Sequence, residues 1–358
     1  MFQYALTVQP AEVFDAAVVH DILAMKNRQL FKMLGAYVPS GRTIYTMAEI
    51  EETINIETSY KGKPCEIIID KGSETRTLMS PEFINRQNSV VQGILNIIFK
   101  TAFRQTHLRQ IGRDPKFFDY EAPITDAKLT AMNLQVLPGY KASVFMSESG
   151  VTVAVDTLFR FMSTITCLDK IRQLKREATS DHRFKELVQS EVIGSSVIAD
   201  WGNKRTYQIS DIDYESNPVN KKFVYNNEEI CVAEYMQMVY NKEIKDLTQP
   251  LIIVKHGENM IHLPPEHCRI DGVPDSIRAS PGMRDCLAIC RVDPNQKMRD
   301  INKLIQILVR QPVFQDWNLT ISSNPIDMPN QTILPEPQIF KQNQIVHINE
   351  NVMRRLPI

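Results

Sequence analysis

The chain opens on a strict alternation. Phe2, Tyr4, Leu6 and Val8 fall on one face and Gln3, Thr7 and Gln9 on the other, the two-residue period of a half-buried strand. Pro10 ends it and suits the first turn of a helix, in which Val13, Phe14, Ala17, Val18, Ile22 and Met25 recur at helical spacing. Gly35 is a natural stop for the helical stretch that holds Leu30 and Leu34. Short strands follow, CEIIID (65–70) the clearest. Ser80-Pro81-Glu82 has the form of a helix start, with a cap, a proline and an acid in the first turn. Val90, Val91, Ile94, Leu95, Ile98, Ala102 and Phe103 then predict a long buried helix. Further strands are predicted at Leu134–Leu137, Ala142–Met146 and Val151–Val155, and a helix over Phe159–Leu174.

The next segment changes character. Ser195–Asp200 and Arg205–Ile212 read as strands joined at Trp201-Gly202-Asn203, a hairpin signal. Another strand reaches Tyr225, Asn226-Asn227 makes a turn, and residues 230–240 become helical, with Val232, Tyr235, Met236, Val239 and Tyr240 as the apolar set. PLIIV (250–254) is a short apolar strand that Gly257 breaks. The segment from about 185 to 292 is therefore β-rich with a small strand–helix insertion. Asp293-Pro294 caps a last strong helix carrying Met298, Ile301, Leu304, Ile305 and Leu308. From Pro312 on, prolines recur among many Asn and Gln, which predicts an extended connector.

Composition narrows the class. With 358 residues, 43% apolar and 23% charged, the chain has room for two to four ordinary globular units. No run approaches the ~18 apolar residues of a membrane span, and MFQYALTVQP lacks a secretory profile. The six cysteines are scattered without a CxxC pair. Cys286 and Cys290 stand at helical spacing, but no second pair completes a zinc site. Reduced core cysteines fit the cytoplasm or nucleus. A net charge of −1 means that any nucleic-acid contact must be local. Two basic stretches qualify, Lys100 to Lys116 and Lys170 to Lys185; each reads equally as a solvated face or a phosphate contact.

Most catalytic signatures are missing: no GxxxxGK[ST], GxGxxG after a strand, HExxH or GxSxG occurs. The seven histidines form no ligand pattern. Asp211 and Asp213 lie on one strand face without a third acid in view, so a hydrogen-bonded turn before Asn217-Pro218 is the better reading than a metal site. No cofactor or metal is predicted.

NKRTYQISDIDYESNP (203–218), EYMQMVYNKEIKDLTQPLI (234–252) and HLPPEHCRIDG (262–272) together resemble the PAZ domain of the Piwi family. QIGR (110–113), LPGY (137–140), VAVDTLFRFM (153–162), the capped helix at 294–311 and WNLTI (317–321) resemble the same family's N-terminal and linker regions. The resemblance covers essentially the whole chain and stops where the family's MID and PIWI domains would begin. It implies a multidomain α+β protein: N-terminal domain 1–115, first linker 116–182, PAZ domain 183–292, second linker 293–358. The PAZ domain would be a small SH3/OB-like β-barrel with a strand–helix insertion. It also implies a function in RNA-mediated gene silencing, gripping the 3′ end of a single-stranded small guide RNA of the Piwi-interacting type. No catalysis is expected, because the family's slicing carboxylates lie in the PIWI domain. The implied partners are that RNA and a MID-PIWI half in cis or trans, with no membrane.

Carried over by position, Arg205 and Tyr207 fall on the strand facing the RNA, Phe223 on the aromatic position of the insertion, and Tyr235 and Tyr240 on the helix tyrosines that reach the terminal phosphate. Leu263 and Pro264 fall on the apolar wall. Periodicity alone favours core packing for the two tyrosines; the resemblance favours the phosphate. Met236 replaces a usual aromatic and Gln237 a frequent cation. Met packs against a ribose or a 2′-O-methyl group, but losing one charge-assisted contact of ~1.5–3 kcal/mol weakens phosphate binding by roughly one to two decades. The competing reading is an Argonaute-derived scaffold, or half of a split Argonaute, that has lost tight RNA binding and docks proteins.

Overall fold

The alternation at the start does produce a half-buried strand. In the computed structural model, β1 (Phe2–Gln9) turns Tyr4, Leu6 and Val8 inward. Residues 1–10, 16–60, 62–76, 89–112, 114–147, 150–202, 204–226, 228–257, 259–322, 324–326, 338–340 and 344–346 are described. Ile22, Leu23, Leu30 and Leu34 of α1 (Ala16–Met25) and α2 (Asn27–Leu34) cover that inner face. The expected first helix is thus two helices, with Val13 and Phe14 outside the described residues. α2 ends at Gly35, whose φ of 64° lies where a glycine has no Cβ penalty. β2 (Tyr37–Ser40), β3 (Thr43–Thr46), β4 (Ile54–Tyr60) and β5 (Lys63–Arg76) complete a sheet of order β2-β3-β1-β5-β4. Ser80-Pro81-Glu82 lies outside the described residues.

α3 (Ser89–Gln105) is the long buried helix expected, with Val91, Ile94, Leu95, Ile98, Ala102 and Phe103 inside. It leads through β6 (Arg109–Gln110), β7 (Lys116–Phe118) and α4 (Ala127–Ala131) into a hairpin of β8 (Leu134–Ser147) and β9 (Gly150–Ser163). The three separate strands expected here are one unbroken ladder from Leu134↔Ser163 to Ser147↔Gly150. Gly139 sits in mid-strand because a Cβ there would lie 2.6 Å from the Phe117 carbonyl oxygen and against the Phe118 ring. The predicted helix over Phe159–Leu174 is corrected as well. Phe159–Ser163 continue β9, and α5 (Cys167–Glu177) starts only at a capping box of Thr166 and Asp169, which satisfies the free amides of the first turn.

After α5 and α6 (Asp181–Glu191) comes a five-stranded antiparallel sheet, order β15-β14-β11-β10-β16. Its strands are β10 (Ser196–Ala199), β11 (Thr206–Asp213), β14 (Leu251–His256), β15 (Asn259–Leu263) and β16 (Cys268–Ile270). A register shift between Ile209 and Asp211 bends the β11–β14 pair. The sheet curls as half a barrel over Ile209, Ile212, Leu251, Ile252 and Val254, closed by Ile171, Leu174, Phe184 and Val188 of the two helices. Between β11 and β14 the chain inserts the hairpin β12 (Lys222–Tyr225) and β13 (Glu228–Cys231), then α7 (Val232–Tyr240). This is the expected multidomain α+β architecture with a strand–helix insertion.

α8 (Asp275–Arg278) and α9 (Gly282–Ile289) precede α10 (Pro294–Val309), which Asp293 caps by accepting from the Gln296 amide. Leu304 and Leu308 pack under α3. The stretch from Pro312 is not simply extended. It opens with α11 (Pro312–Asp316), whose Phe314 meets Phe99 edge to face at 5.2 Å. Within the separate unit Ser322–Ile358, Gln338–Phe340 pairs with Gln344–Val346.

One ion pair joins the hairpin to the half-barrel. Arg160 Nε donates to Asp271 Oδ1 at 2.7 Å, and Nη2 meets the second carboxylate oxygen. Both side chains are largely shielded from solvent. The Gly272 amide donates to the Phe161 carbonyl at 2.9 Å beside it. Removing one partner strands a shielded charge, so Arg160→Met is expected to lower unfolding free energy by ~3 kcal/mol. Arg160→Met with Asp271→Leu should recover much of that loss in urea denaturation. A single-variant loss below about 1 kcal/mol, or a double variant worse than the single one, would sink this account.

Candidate functional site

α7 is short and fixed at both ends. A capping box of Cys231 and Glu234 starts it, and Asn241 in the left-handed region (φ 52°) stops it. Val232 and Met236, one turn apart, face the core, which turns Tyr235 and Tyr240 toward a run of rings. Tyr235 meets Phe223 at 5.3 Å, Tyr225 at 5.1 Å and Tyr240 at 5.7 Å, all edge to face. Tyr240 in turn lies 6.2 Å from Trp201 of the β10–β11 hairpin. Each such pair contributes about 0.5–1.5 kcal/mol beyond burial, so the insertion is tied to the barrel through aromatics. Phe223 keeps 37% of its surface exposed, a flat face open to solvent at the end of the run.

Burial, and then the neighbouring Tyr240 side chain, push the Tyr235 phenol well above its usual range. Burial likewise raises Tyr207, which lies near Tyr240.

Beside this run is a cleft of about 1050 Å³ between the end of α3 and the start of β11. Among the described residues, Arg104, Arg109, Lys204, Arg205 and Lys255 line it and no acidic side chain does. Lys204 stands 4.7 Å above the Tyr120 ring. Burial, opposed by Asp200 and reinforced by Lys242 and Arg109 among others, lowers its pKa. The Thr206 hydroxyl in the cleft wall is buried with no hydrogen-bond partner among the described residues. A group of cations gathered in one cleft suits an extended anion.

The residues singled out from sequence divide by where they lie. Tyr207, Phe223, Tyr235 and Tyr240 come together around the aromatic run, and Arg205 lines the cleft. Gln237 is exposed and donates to Asn241 Oδ1 at 3.2 Å. Met236 is only 2% exposed, and Leu263 and Pro264 are buried too. Met236 therefore has almost no surface to offer a ribose and supports the tyrosines from beneath, as its spacing from Val232 indicates. Trp201, Tyr225, Lys204 and Lys255 were not picked out; Lys204 adjoins Arg205 and Lys255 sits alone in sequence, and only the fold groups them with Arg104 and Arg109.

Of the two basic stretches, the first supplies Arg104 and Arg109, while Arg113 lies outside the described residues. Half of the second is paired: Lys170 with Glu191 at 3.5 Å, Arg172 with Asp246, Arg183 with Glu186 at 2.9 Å. The Asp213 carboxylate accepts from the amides of Glu215 and Ser216. Burial opposes its ionisation, but these hydrogen bonds hold it below the usual range. No three metal-ligating side chains cluster among the described residues.

Residues 166–285 match the PAZ domain family, so the half-barrel with its insertion is a PAZ domain. The chain is 26% identical to the Piwi-like protein Siwi of Bombyx mori over 96% of its own length and 37% of Siwi's. It is 28% identical to Piwi-like protein 1 of Gallus gallus over 67% of its length and 28% of that relative's. The crystal structure of Drosophila Piwi superposes on 98% of the chain with a TM-score of 0.61 at 23% identity, using 44% of that chain. The chain is thus related throughout to the PAZ-containing N-terminal portion of Piwi-type Argonautes, and it spans roughly a third of the length of those curated relatives.

The raised Tyr235 has a direct readout. Among eleven tyrosines, burial also pushes Tyr37, Tyr120 and Tyr214 up to about 12. Alkaline titration at the phenolate absorbance should give superimposable curves for wild type and Tyr235→Phe up to about pH 11. A difference of one tyrosine by about pH 10 would show that the Tyr235 ring is not held as described.

Proposed function

We propose that the chain grips the 3′ end of a single-stranded small guide RNA, of the Piwi-interacting type, as the end-binding part of an RNA-silencing protein of the cytoplasm or nucleus. The observation that carries this reading is an aromatic run ending in an open ring beside a cleft whose described residues include five cations and no acid. An unstacked terminal base finds a face on Phe223, contributing ~1–3 kcal/mol without regard to sequence. The Tyr240 hydroxyl, beside Tyr235, donates to the terminal phosphate. The cleft takes the preceding phosphates by charge.

Cleavage is not part of this role. Asp211 and Asp213 serve backbone amides, and the slicing chemistry belongs to a MID-PIWI half acting in cis or in trans. Purified chain should leave RNA intact with Mg²⁺ or Mn²⁺; metal-dependent cleavage abolished by Asp211→Asn or Asp213→Asn would overturn this. The neutral Gln237 and the buried Met236 favour the second reading, a protein-docking scaffold that has lost tight RNA binding.

The two readings separate on the affinity of labelled single-stranded RNA with a free or a blocked 3′ end, at two salt concentrations. Tyr240→Phe, which keeps the ring, should cost ~1.5–3 kcal/mol of affinity for the free end. Tyr235→Phe, acting through Tyr240, should cost less. Arg205→Ala should flatten the salt dependence by about one counterion and Gln237→Lys should steepen it by as much. Equal binding of free and blocked ends, with no loss in Tyr240→Phe, would leave the scaffold reading.

A further inference from the structure

His267, in the single helical turn before β16, has an unusual pair of partners. Its Nδ1 lies 3.2 Å from Asp200 Oδ2 and its Nε2 3.0 Å from the Glu243 carbonyl oxygen. A carbonyl and a carboxylate only accept, so both contacts need a ring N–H. Neutral imidazole carries one hydrogen and imidazolium two. The ring is largely shielded, so losing one proton would turn a lone pair onto an oxygen with little water to intervene.

The three segments that meet at this ring are those that set the aromatic run. Asp200 follows β10 just before Trp201, and its amide donates to the His267 carbonyl at 3.0 Å. Glu243 follows α7 by three residues, and Lys242 beside it reaches Asp200 Oδ2 at 3.4 Å. The other carboxylate oxygen of Asp200 is buried with no hydrogen bond among the described residues. Trp201 stands edge-on to His267 at 6.4 Å and touches Tyr240 on its far side. Glu266, on the same turn, is committed to the amides of Lys245 and Asp246 and to the Gln249 side chain, and adds negative charge nearby.

We propose that His267 is a proton-operated clasp: its doubly protonated ring ties the end of α7 to the β10–β11 hairpin, and losing one proton frees Trp201 and Tyr240 to shift. The hydrogen bond to Asp200, against the opposing effect of burial, raises the His267 pKa above its ordinary 6.5. The sign follows: the tie is fully present below the unfolded value near 6.5 and is lost as pH rises through the higher folded value. His262, which burial shifts downward, titrates in the opposite sense, so a bulk stability curve mixes the two and a local probe is needed.

The chain has two tryptophans, and Trp317→Phe leaves Trp201 as a single reporter beside the imidazolium. Its emission, followed from about pH 5.5 to 9, should show one transition with a midpoint above 6.5. Asp200→Asn should move that midpoint down to 6.5 or lower, and His267→Gln should abolish the transition. In wild type, the ring resonances of His267 should titrate at the same midpoint, and amide exchange at residues 240–243 should quicken severalfold above it. A His267 ring titrating at or below 6.5, or an unchanged Trp201 transition in His267→Gln, would overturn the clasp.

Discussion

The pairing of Arg160 with Asp271 fixes where a long hairpin meets a half-barrel, and the candidate site depends on that junction. The guanidinium lies 5.5 Å above the Phe118 ring, and Phe118 is in place because Gly139 leaves it room. Along the same hairpin, α3 carries Arg104 in its last turn and leads to Arg109 in β6; across the gap stand Lys204 and Arg205. Neither group of cations forms a cleft alone. A shielded ion pair adds little net energy over a well-packed apolar substitute, but its directional geometry suits holding two surfaces in register.

The two halves of the site obey different physics. The aromatic run is short-ranged and rigid, built from edge-to-face contacts around Tyr235, so it responds to shape and to a single donor. The cleft acts through charge, weakens with salt and tolerates any sequence. A molecule with a flat terminal group and a train of phosphates engages both. The net charge of −1 hides this, because five cations in one place are offset by acids elsewhere.

Local signals were legible in the sequence. The β1 alternation, the Gly35 stop and the Asp293 cap each rest on neighbouring residues, and each appears in the fold. Signals that needed a distant partner misled. Pro138 and Gly139 look like a break, yet they sit within one strand because Phe118, far off in sequence, packs there. Phe159 to Met162 suit a helix or a strand, and the ladder to β8 decides. Resemblance drew attention to Tyr235 and Tyr240, while plain periodicity was the better guide to Met236. The cleft was illegible because three separate segments supply it.

The most direct test of an end-gripping role asks where a 3′ end rests. A single-stranded RNA carrying 4-thiouridine as its last nucleotide, photocrosslinked to the chain and mapped by mass spectrometry, should attach within Phe223–Tyr240 or at Trp201–Tyr207. The same label placed mid-strand should move the adduct to the peptides bearing Arg104, Arg109 or Lys255. An adduct outside these segments, or the same adduct for terminal and internal labels, would contradict the account.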